Sequence, residues 1–364
     1  MKVLMLSLDK TLFDGNSDAA KRMRAYAELA EYTTVIVFNV KGKFKEIKYS
    51  EKLIIYPTNS LFKIFYFFKA YSLVKKINGC NLIISQDPYL TGVIAWLLSL
   101  IFKIKLLISI FGNDIFNFFW LRENILRREL KYFAQFILNK ADAIQSDNLE
   151  TVDFLKKKYG EKKVFWKPIV PSEIEQYKKA VKISSPKIRL LTVCRLVKQK
   201  NLPMLLQVID QTLQVKPEVE FTIIGEGPLH NFLQNELKTR QLDTKVKWIH
   251  GCKWQDLLDY YINADIFILT SLYEGFPRVF QEAMAVGLPI ITTRVGKGLI
   301  KDGYNGCVVD HNKVKEFVEK IVYLIDNFDK REEFGTNSKK YFWDNFSFEK
   351  TLSAQALIYS YLSN

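Results

Sequence analysis

The sequence predicts an α/β protein of two domains, each a doubly wound parallel sheet with helices on both faces. Its 364 residues suffice for two domains of roughly 100–200 residues each. Short apolar runs rich in β-branched residues alternate with longer helical patterns, which is typical of parallel sheets built from βαβ units. The stretch 168–186, which contains three prolines and a Ser-Ser pair, separates two sets of such runs. We therefore expect an N-terminal domain over 1–175 and a C-terminal domain over 185–345.

Each half contains six strand candidates with helical patterns between them. The expected strands cover residues 3–8, 33–40, 53–56, 82–85, 105–111 and 143–145, then 189–194, 220–224, 246–250, 265–269, 289–292 and 307–309. Helical patterns cover 17–30, 90–102, 202–214, 229–240, 314–327 and an amphipathic tail over 346–362. In open parallel sheets, ligands bind at the carboxyl ends of the strands, so the residues that follow each strand are the first candidates for function.

Two features limit the class of protein. The most apolar segment, 90–102, has thirteen residues and is followed by Lys103, whereas a transmembrane helix needs roughly 20. We expect a buried helix there, and the N-terminal residues are interpreted as a strand rather than a signal peptide. The four cysteines are scattered without a CxxC pair, so neither a zinc site nor a disulfide framework is expected, and a reducing cytosol is the natural compartment.

Positive charge is concentrated in the N-terminal half. The chain has a formal net charge of +14, and residues 1–180 hold 29 basic and 18 acidic residues against 24 and 21 in residues 181–364. The asymmetry indicates an anionic partner, either nucleic acid or a membrane surface, and an ordinary solvated surface is the alternative. No RNP, KH or zinc-finger signature is present, so nucleic acid is not expected.

Two stretches combine aromatic and basic residues. One is a helix predicted over 61–76 and capped by Asn59-Ser60; the other covers 115–139. Such helices suit the headgroup layer of a membrane, where rings are buried and cations meet anionic lipid; the alternative is that the aromatic residues pack on the sheet. We expect a peripheral protein on the cytoplasmic face of the cell membrane. The basic residues expected to meet the lipid are Lys63, Lys69, Lys76, Arg127 and Arg128.

Three motifs follow strands of the C-terminal half. Gly225-Glu226-Gly227 follows 220–224 and favours a tight turn over a dinucleotide site, because the third glycine of that fingerprint is missing. Arg195 and Lys200 follow 189–194 and could bind a diphosphate. Glu274 and Glu282 flank Gly-Phe-Pro after 265–269, and Pro277 suits the first turn of a helix whose free N–H groups form an anion site.

The order and spacing of these motifs resemble the retaining glycosyltransferases of family 4, the "group 1" enzymes of the GT-B fold. Glu274 and Glu282 match the family's E-x7-E motif, and Arg195 and Lys200 match its R-x4-K pair. Residues 224–228, 263–268 and 302–306 match the surrounding turns and strand. The resemblance extends from about 187 to 310. It implies two Rossmann-like domains facing across a cleft, with the tail 346–364 crossing back onto an N-terminal, acceptor-binding domain.

The resemblance also implies roles for particular residues. Arg195, Lys200 and Glu274 would be catalytic, with the two cations neutralising the leaving diphosphate. The donor would contact Gly275, Phe276, Pro277, Arg278 and Glu282, together with Gly15, Asn16, His250, Gly251 and Cys252. The acceptor side would include Asp87 and Asp114, although segment 111–114 begins with phenylalanine where the family often has histidine. No cofactor or metal is expected, and the donor would be a UDP- or GDP-linked sugar.

The resulting hypothesis is a metal-independent, retaining hexosyltransferase. It would move a sugar from the nucleotide diphosphate to a glycan or lipid-linked acceptor in the synthesis of cell-envelope polysaccharide, glycolipid or glycoprotein glycan. Two alternatives remain: a soluble GT-B enzyme with a small acceptor or a sugar-nucleotide epimerase, and a non-catalytic glycosyltransferase-like subunit. The intact Arg195, Lys200, Glu274 and Glu282 argue against the last.

Overall fold

The computed structural model describes residues 1–77, 79–111, 117–179, 186–252, 254–296 and 298–363. The chain forms two compact units. One unit contains Met1–Ser172 and Phe348–Asn364, and the other contains Glu173–Ser347. The stretch expected to link the domains contains a 3-10 helix, Ser172–Lys179, which starts at the last residue of the first segment and continues into the second unit. Residues 180–185 of that stretch lie outside the described residues.

The N-terminal unit contains a sheet of eight strands. They are β1 (Lys2–Ser7), β2 (Tyr32–Val37), β3 (Ile47–Ser50), β4 (Leu53–Pro57), β5 (Leu82–Ser85), β6 (Lys105–Ile110), β7 (Ala143–Ser146) and β8 (Val164–Trp166). Their order is β3-β4-β2-β1-β5-β6-β7-β8, and every neighbouring pair is parallel except β3 and β4. All six predicted strands are present, and the two additional ones lie at the edges.

The C-terminal unit contains a six-stranded sheet in which every pair is parallel. Its strands are β9 (Arg189–Val193), β10 (Glu220–Ile224), β11 (Val246–Ile249), β12 (Ile266–Leu269), β13 (Ile290–Thr293) and β14 (Gly306–Val309). Their order is β11-β10-β9-β12-β13-β14. The prediction of two doubly wound parallel sheets is therefore confirmed.

Helices connect the strands in both units. Those of the N-terminal unit are α1 (Asp18–Glu28), α2 (Tyr66–Lys76), α3 (Leu90–Phe102), α4 (Phe118–Glu123), α5 (Ile125–Lys140) and α6 (Leu149–Tyr159). Those of the C-terminal unit are α7 (Leu202–Val215), α8 (His230–Thr239), α9 (Trp254–Asn263), α10 (Arg278–Val286), α11 (Val314–Asp326) and α12 (Phe328–Asn345). The tail forms α13 (Phe348–Ser363), which lies against α1 and β8 of the N-terminal unit.

Strand β1 shows why the N-terminal strands are apolar on both faces. Leu4 and Leu6 pack into a cluster with residues of α2, α3 and α5. Val3 and Met5 point to the opposite face and pack with residues of α1 and α13. Because successive side chains of a strand point to opposite faces, a sheet covered on both sides needs apolar residues at every position.

The two aromatic–basic stretches differ from the prediction in detail. The expected helix over 61–76 begins with a 3-10 turn, Lys63–Phe65, and becomes α-helical only at Tyr66. Asn59-Ser60 does not cap it, because Asn59 donates its side-chain amide to the carbonyl of Phe44 and the segment pairs with residues 39–41. The second stretch is divided at Asn124, whose side chain accepts a hydrogen bond from the Leu126 N–H and caps α5.

Candidate functional site

The strand order of the C-terminal sheet locates a candidate site between β9 and β12. From β9 the chain proceeds outward through β10 and β11, and from β12 it proceeds in the opposite direction through β13 and β14. The loops after β9 and β12 therefore diverge, which leaves a crevice at the carboxyl ends of these neighbouring strands. Arg195 and Lys200 lie in the first loop and Glu274 in the second, so the structure brings two predicted sets of residues to this switch point.

Lys200 and Glu274 form an ion pair at the crevice. The Lys200 ammonium donates to Glu274 Oε1, and the Ser271 hydroxyl donates to the same oxygen at 2.6 Å. The two charged side chains are only 12% and 8% exposed. A pair this deeply buried holds its partners in place strongly, since removing one leaves a desolvated charge unpaired.

Backbone and side-chain hydrogen bonds hold the two loops together beneath the ion pair. The Leu272 N–H donates to the carbonyl of Gln199 and the Gln199 amide donates to the carbonyl of Tyr273, both at 2.8 Å. The Thr270 hydroxyl donates to the carbonyl of Lys200 at 3.1 Å. The loop after β9 is thus fixed to the loop after β12, which gives Lys200 and Glu274 a preorganised geometry.

Arg195 lies beside the Gly-Glu-Gly turn with an exposed side chain. The Leu196 N–H donates to the carbonyl of Glu226 at 2.9 Å. A Cβ atom on Gly225 would lie 1.8 Å from the carbonyl oxygen of Cys194, and the φ of Gly225 is 148°. Glycine is required here because another backbone segment passes against it and the conformation is left-handed, which explains the motif as a packed turn.

Helix α10 begins at Arg278, and Pro277 is its N-cap rather than a residue of its first turn as predicted. Its backbone conformation is extended, with φ −65° and ψ 120°, so the helix starts one residue later. The free N–H groups of the first turn follow directly after the Glu274 loop. An anion bound at this helix start would therefore lie near the loop that holds Glu274.

Glu282 is buried on the inner side of α10. The Tyr261 hydroxyl donates to its Oε2 at 2.8 Å and Arg278 Nε donates to its Oε1 at 2.9 Å. Burial raises the pKa of Glu282 above its usual value, although Arg278 and the Tyr261 hydrogen bond act in the opposite direction. Both oxygens are engaged within the protein, so a ribose would have to share one of them.

Three aromatic rings form a cluster at the end of β11. Trp248 and His250 stack with their ring centroids 4.1 Å apart, and His230 lies 4.7 and 4.8 Å from them. His250-Gly251-Cys252 is the segment expected to meet the nucleotide base. Sequence reasoning missed Trp248, which lies in β11, and His230, which begins α8. The available signal was that Trp248 comes just before the end of a strand and that His230 follows the turn after β10.

The predicted site residues of the N-terminal unit have local partners. Gly15 accepts a hydrogen bond from Arg24 at 2.8 Å, and the Asn16 N–H donates to Asp14 at 3.0 Å. The Asp87 carboxylate accepts from the Tyr89 N–H at 2.8 Å and from the Thr91 hydroxyl at 2.7 Å, next to the start of α3. Asp114 lies outside the described residues. The roles assigned to these residues stay predictions.

Exposed apolar side chains lie on α2, α3 and α5 and in the segment just before α2. We call this group of side chains the exposed aromatic surface. Ring contacts connect its underlying helices: Tyr71 lies 5.6 Å from Phe102, and Trp96 lies 5.4 Å from Phe136. Its exposed apolar residues are Leu61, Phe62, Ile64, Phe65, Phe68, Leu100, Ile101, Leu126, Leu130, Tyr132, Phe133 and Phe136. Of the basic residues expected to meet lipid, Lys63, Lys69, Lys76 and Arg128 are exposed and Arg127 is half-buried.

In the part of the chain that the structure describes, no helix is both long and apolar enough to cross a membrane. Within the same residues, no group of three or more His, Cys, Asp or Glu side chains is arranged to hold a metal ion.

Residues 173–341 match the family model of glycosyl transferases group 1. This range nearly coincides with the C-terminal unit and contains Arg195, Lys200, Glu274 and Glu282. An uncharacterized glycosyltransferase of Methanocaldococcus jannaschii is 30% identical over 176 residues, which is 48% of this chain and 48% of that protein. The chain therefore spans about half the length of this curated relative.

A second curated protein and a solved structure are also similar to this chain. The Escherichia coli UDP-Gal:alpha-D-GlcNAc-diphosphoundecaprenol alpha-1,3-galactosyltransferase is 30% identical over 114 residues, 30% of this chain and 29% of the enzyme. The structure of Anabaena HepE in complex with UDP-glucose superposes with a TM-score of 0.75 and 16% identity over 99% of each chain. The structural likeness confirms the predicted GT-B fold class.

Proposed function

We propose that the protein is a retaining glycosyltransferase that uses a nucleotide-diphosphate sugar as donor and a glycan or lipid-linked molecule as acceptor. The observation that carries the proposal is the Lys200–Glu274 pair, held with Arg195 at the switch point of a group 1 domain. The Escherichia coli relative, whose name records a diphosphoundecaprenol acceptor, supports a lipid-linked acceptor for this chain.

Arg195, Lys200 and the start of α10 would bind the diphosphate. A guanidinium presents a planar set of donors and an ammonium a mobile point charge, so the two cations suit the two phosphates of one leaving group. Negative charge on that group grows as the bond to the sugar breaks. Preorganised cations and helix N–H groups therefore stabilise the transition state more than the bound donor, without a metal ion.

Glu274 would exchange partners when the donor binds. In this structure its Oε1 accepts from both Lys200 and Ser271. A diphosphate that attracts the Lys200 ammonium releases one hydrogen-bonding position on the carboxylate. Glu274 can then accept hydrogen bonds from hydroxyl groups of the donor sugar, so that diphosphate binding and sugar binding favour one another.

The nucleotide base would lie beside the cluster of His230, Trp248 and His250, with the ribose toward Glu282. A uracil or guanine ring gains dispersion energy from an aromatic face. The Anabaena neighbour in complex with UDP-glucose supports a uridine or related nucleotide.

Sugar transfer with retention breaks the bond between the anomeric carbon and the phosphate oxygen. A bond from the acceptor oxygen to the same face of that carbon replaces it. The acceptor proton passes to the departing phosphate, which takes both electrons of the broken bond. No covalent intermediate on a protein carboxylate is included, in contrast to retaining glycosidases.

Thermal stabilisation by a panel of UDP- and GDP-sugars tests donor binding. We expect one donor to raise the Tm of the wild-type protein, because a ligand that binds only the folded state stabilises it. The Arg195→Ala, Lys200→Ala double variant should lose this shift. Lys198→Ala is the matched control, since Lys198 lies exposed in the same loop. A full shift in the double variant would contradict the diphosphate role.

We further propose that the protein works at the cytoplasmic face of an anionic membrane. The exposed aromatic surface provides apolar side chains, with Ile64 75% and Phe68 61% exposed. Exposed lysines lie among them, and each basic residue near an anionic surface adds about 1 kcal/mol of attraction. The pattern suits shallow insertion of rings with cations at the headgroups.

Sedimentation with vesicles tests this location. Wild-type protein should sediment with phosphatidylglycerol vesicles at low ionic strength, and salt should release at least part of it. Replacing both Ile64 and Phe68 by Ser should weaken binding to the vesicles roughly tenfold or more, because the variant has less apolar area to bury in the membrane. Phe328→Ser is the control, because Phe328 is similarly exposed in the other unit. Equal sedimentation of both variants would exclude this surface.

A further inference from the structure

A cavity of about 260 Å³ lies at the amino ends of β12 and β13 in the C-terminal unit. The residues that directly precede these two strands, Asp265 and Pro289, line it. Helix α12 contributes Arg331, Gly335 and Lys339 to the same lining. The candidate donor site lies at the carboxyl ends of this parallel sheet, so the cavity is at the opposite edge and separate from that site.

Helix α12 presents two cations with a glycine between them to this cavity. Arg331, Gly335 and Lys339 recur every four residues, so they lie on one face of the helix. A Cβ atom on Gly335 would clash with the carbonyl oxygen of Gly287, the residue that ends α10 and also lines the cavity. Glycine at 335 thus lets the two backbones meet. The two cations are about 12 Å apart along the helix axis, which leaves room for a small molecule between their side chains.

The Arg331 guanidinium is buried without a carboxylate partner among the described residues. The residue is 6% exposed. Its Nη1 donates to the carbonyls of Leu324 at 2.7 Å and Ile325 at 3.0 Å, near the carboxyl end of α11. The ring of Phe328 lies 5.4 Å from its Cζ. Nε and Nη2 donate to none of the described residues, so one edge of the planar group is unfilled.

The unfilled edge of this guanidinium indicates a ligand that accepts hydrogen bonds. The carbonyls of α11 and the aromatic ring offset part of the cost of burying the charge. They leave the Nε and Nη2 donors of Arg331 without acceptors among the described residues, which costs free energy unless another group supplies them. Two nitrogens at one edge of a guanidinium can donate parallel hydrogen bonds to both oxygens of a carboxylate. Lys339 is half-buried and forms no ion pair with any described residue, so its ammonium is a second donor.

The charges of the lining favour a ligand with a single negative charge. Besides the two cations, the lining includes the carboxylates of Asp265 and Glu332. Asp265 accepts a hydrogen bond from the Arg189 N–H at 2.8 Å, and Glu332 is exposed. A phosphate group carries up to two negative charges at neutral pH, and both carboxylates would repel it. A carboxylate brings one charge and also matches the planar edge of the guanidinium.

We propose that this cavity binds a small organic monocarboxylate whose oxygens accept hydrogen bonds from Arg331 and Lys339. Its apolar substituent packs against the apolar residues of the lining, Ile262, Leu288 and Pro289. A site with a few converging polar groups and an apolar wall is typical of small-molecule sites. The inference goes beyond the proposed function, because a ligand at the amino ends of the strands leaves the donor site open.

Saturation-transfer NMR on the full chain tests the proposal with propionate, butyrate, isovalerate and lactate at millimolar concentrations and constant ionic strength. At least one of them should bind saturably to the wild-type protein. Lys339→Met should weaken that binding roughly tenfold or more, the effect of losing one hydrogen bond to a charged group. Lys340→Met is the matched control, because Lys340 is exposed on the same helix and does not line the cavity.

A second variant tests the guanidinium itself. Arg331→Lys keeps the charge but loses the planar pair of donors, so it should also weaken binding roughly tenfold or more. Arg331 holds the end of α11 as well, and Lys339→Met alone decides if Arg331→Lys does not fold.

Four results would overturn the proposal. They are no saturable binding by any of the carboxylates, equal affinities of Lys339→Met and Lys340→Met, unchanged affinity of a folded Arg331→Lys, and displacement of the carboxylate by a lower concentration of inorganic phosphate than of the carboxylate itself. Each of them leaves thermal stabilisation by UDP- or GDP-sugars unaffected. Conversely, a protein that binds a carboxylate in this way but no sugar nucleotide retains the cavity and loses the proposed function.

Discussion

Burial of Lys167 predicts an unusual dependence of stability on pH. A lysine with a pKa of about 7 in the folded protein and 10.5 in the unfolded chain binds fewer protons when folded over this interval. Because the unfolded chain binds more protons than the folded protein, the free energy of unfolding rises as the pH increases from 7 toward 10.5. Tyr26 above the ammonium and Gln355 beside it are neutral in this range, while Arg22 and Asp147 are the charged groups that act on it.

The size of the effect follows from the two pKa values. Between pH 7 and pH 9 the linkage relation gives a gain of about 2 kcal/mol from this one group. Lys167 is fully buried, so solvent screening does not reduce the figure as it would at the surface. Burial also raises the pKa of the Cys194 thiol to about 12. This thiol lowers the free energy of unfolding at a pH where it ionises only in the unfolded chain. The effect of Lys167 is therefore measured as the difference between the wild type and a variant that keeps Cys194.

Urea unfolding at pH 7, 8 and 9 measures the effect. The free energy of unfolding of wild-type protein should rise relative to that of Lys167→Met across this range, because the methionine variant lacks the titrating group. Lys157→Met, which replaces an exposed lysine, should follow the wild type. Parallel profiles for the wild type and Lys167→Met would refute a buried ammonium with a lowered pKa.

Other predictions concern the C-terminal unit. Arg195→Ala and Lys200→Ala should each reduce turnover roughly 10²–10³-fold, the effect of losing one preorganised stabilising group, in a steady-state assay with protein that remains folded by circular dichroism. Glu282→Gln should mainly raise the Kd for the nucleotide in calorimetry, and unchanged affinity would remove it from the donor site. Gly225→Ala should destabilise the fold by about 3 kcal/mol or more in urea, since Cβ meets the Cys194 carbonyl, whereas Gly79→Ala has open space and should cost about 1 kcal/mol. EDTA should leave turnover unchanged if the cations serve in place of a metal.

The sequence by itself determined the class of fold and the ordered motifs of the C-terminal unit. Buried parallel strands need apolar side chains on both faces, and this produces the continuous runs that predicted twelve strands. The edge strands β3 and β8 were missed because neither shows a long apolar run. Ile47–Ser50 is half-exposed, and Val164–Trp166 has only three residues.

Only the tertiary structure decided which of the candidate residues meet. Lys200 and Glu274 lie 74 positions apart, and their contact depends on β9 and β12 being neighbours in the sheet. The partner of Glu282, Tyr261, lies on a different helix, α9. In the sequence, Lys167 is one of many basic residues of the N-terminal half. In the structure it follows β8, is buried, and donates to Gln355 of α13. Burial and pairing depend on contacts between distant segments, whereas strand and helix patterns depend on neighbours along the chain.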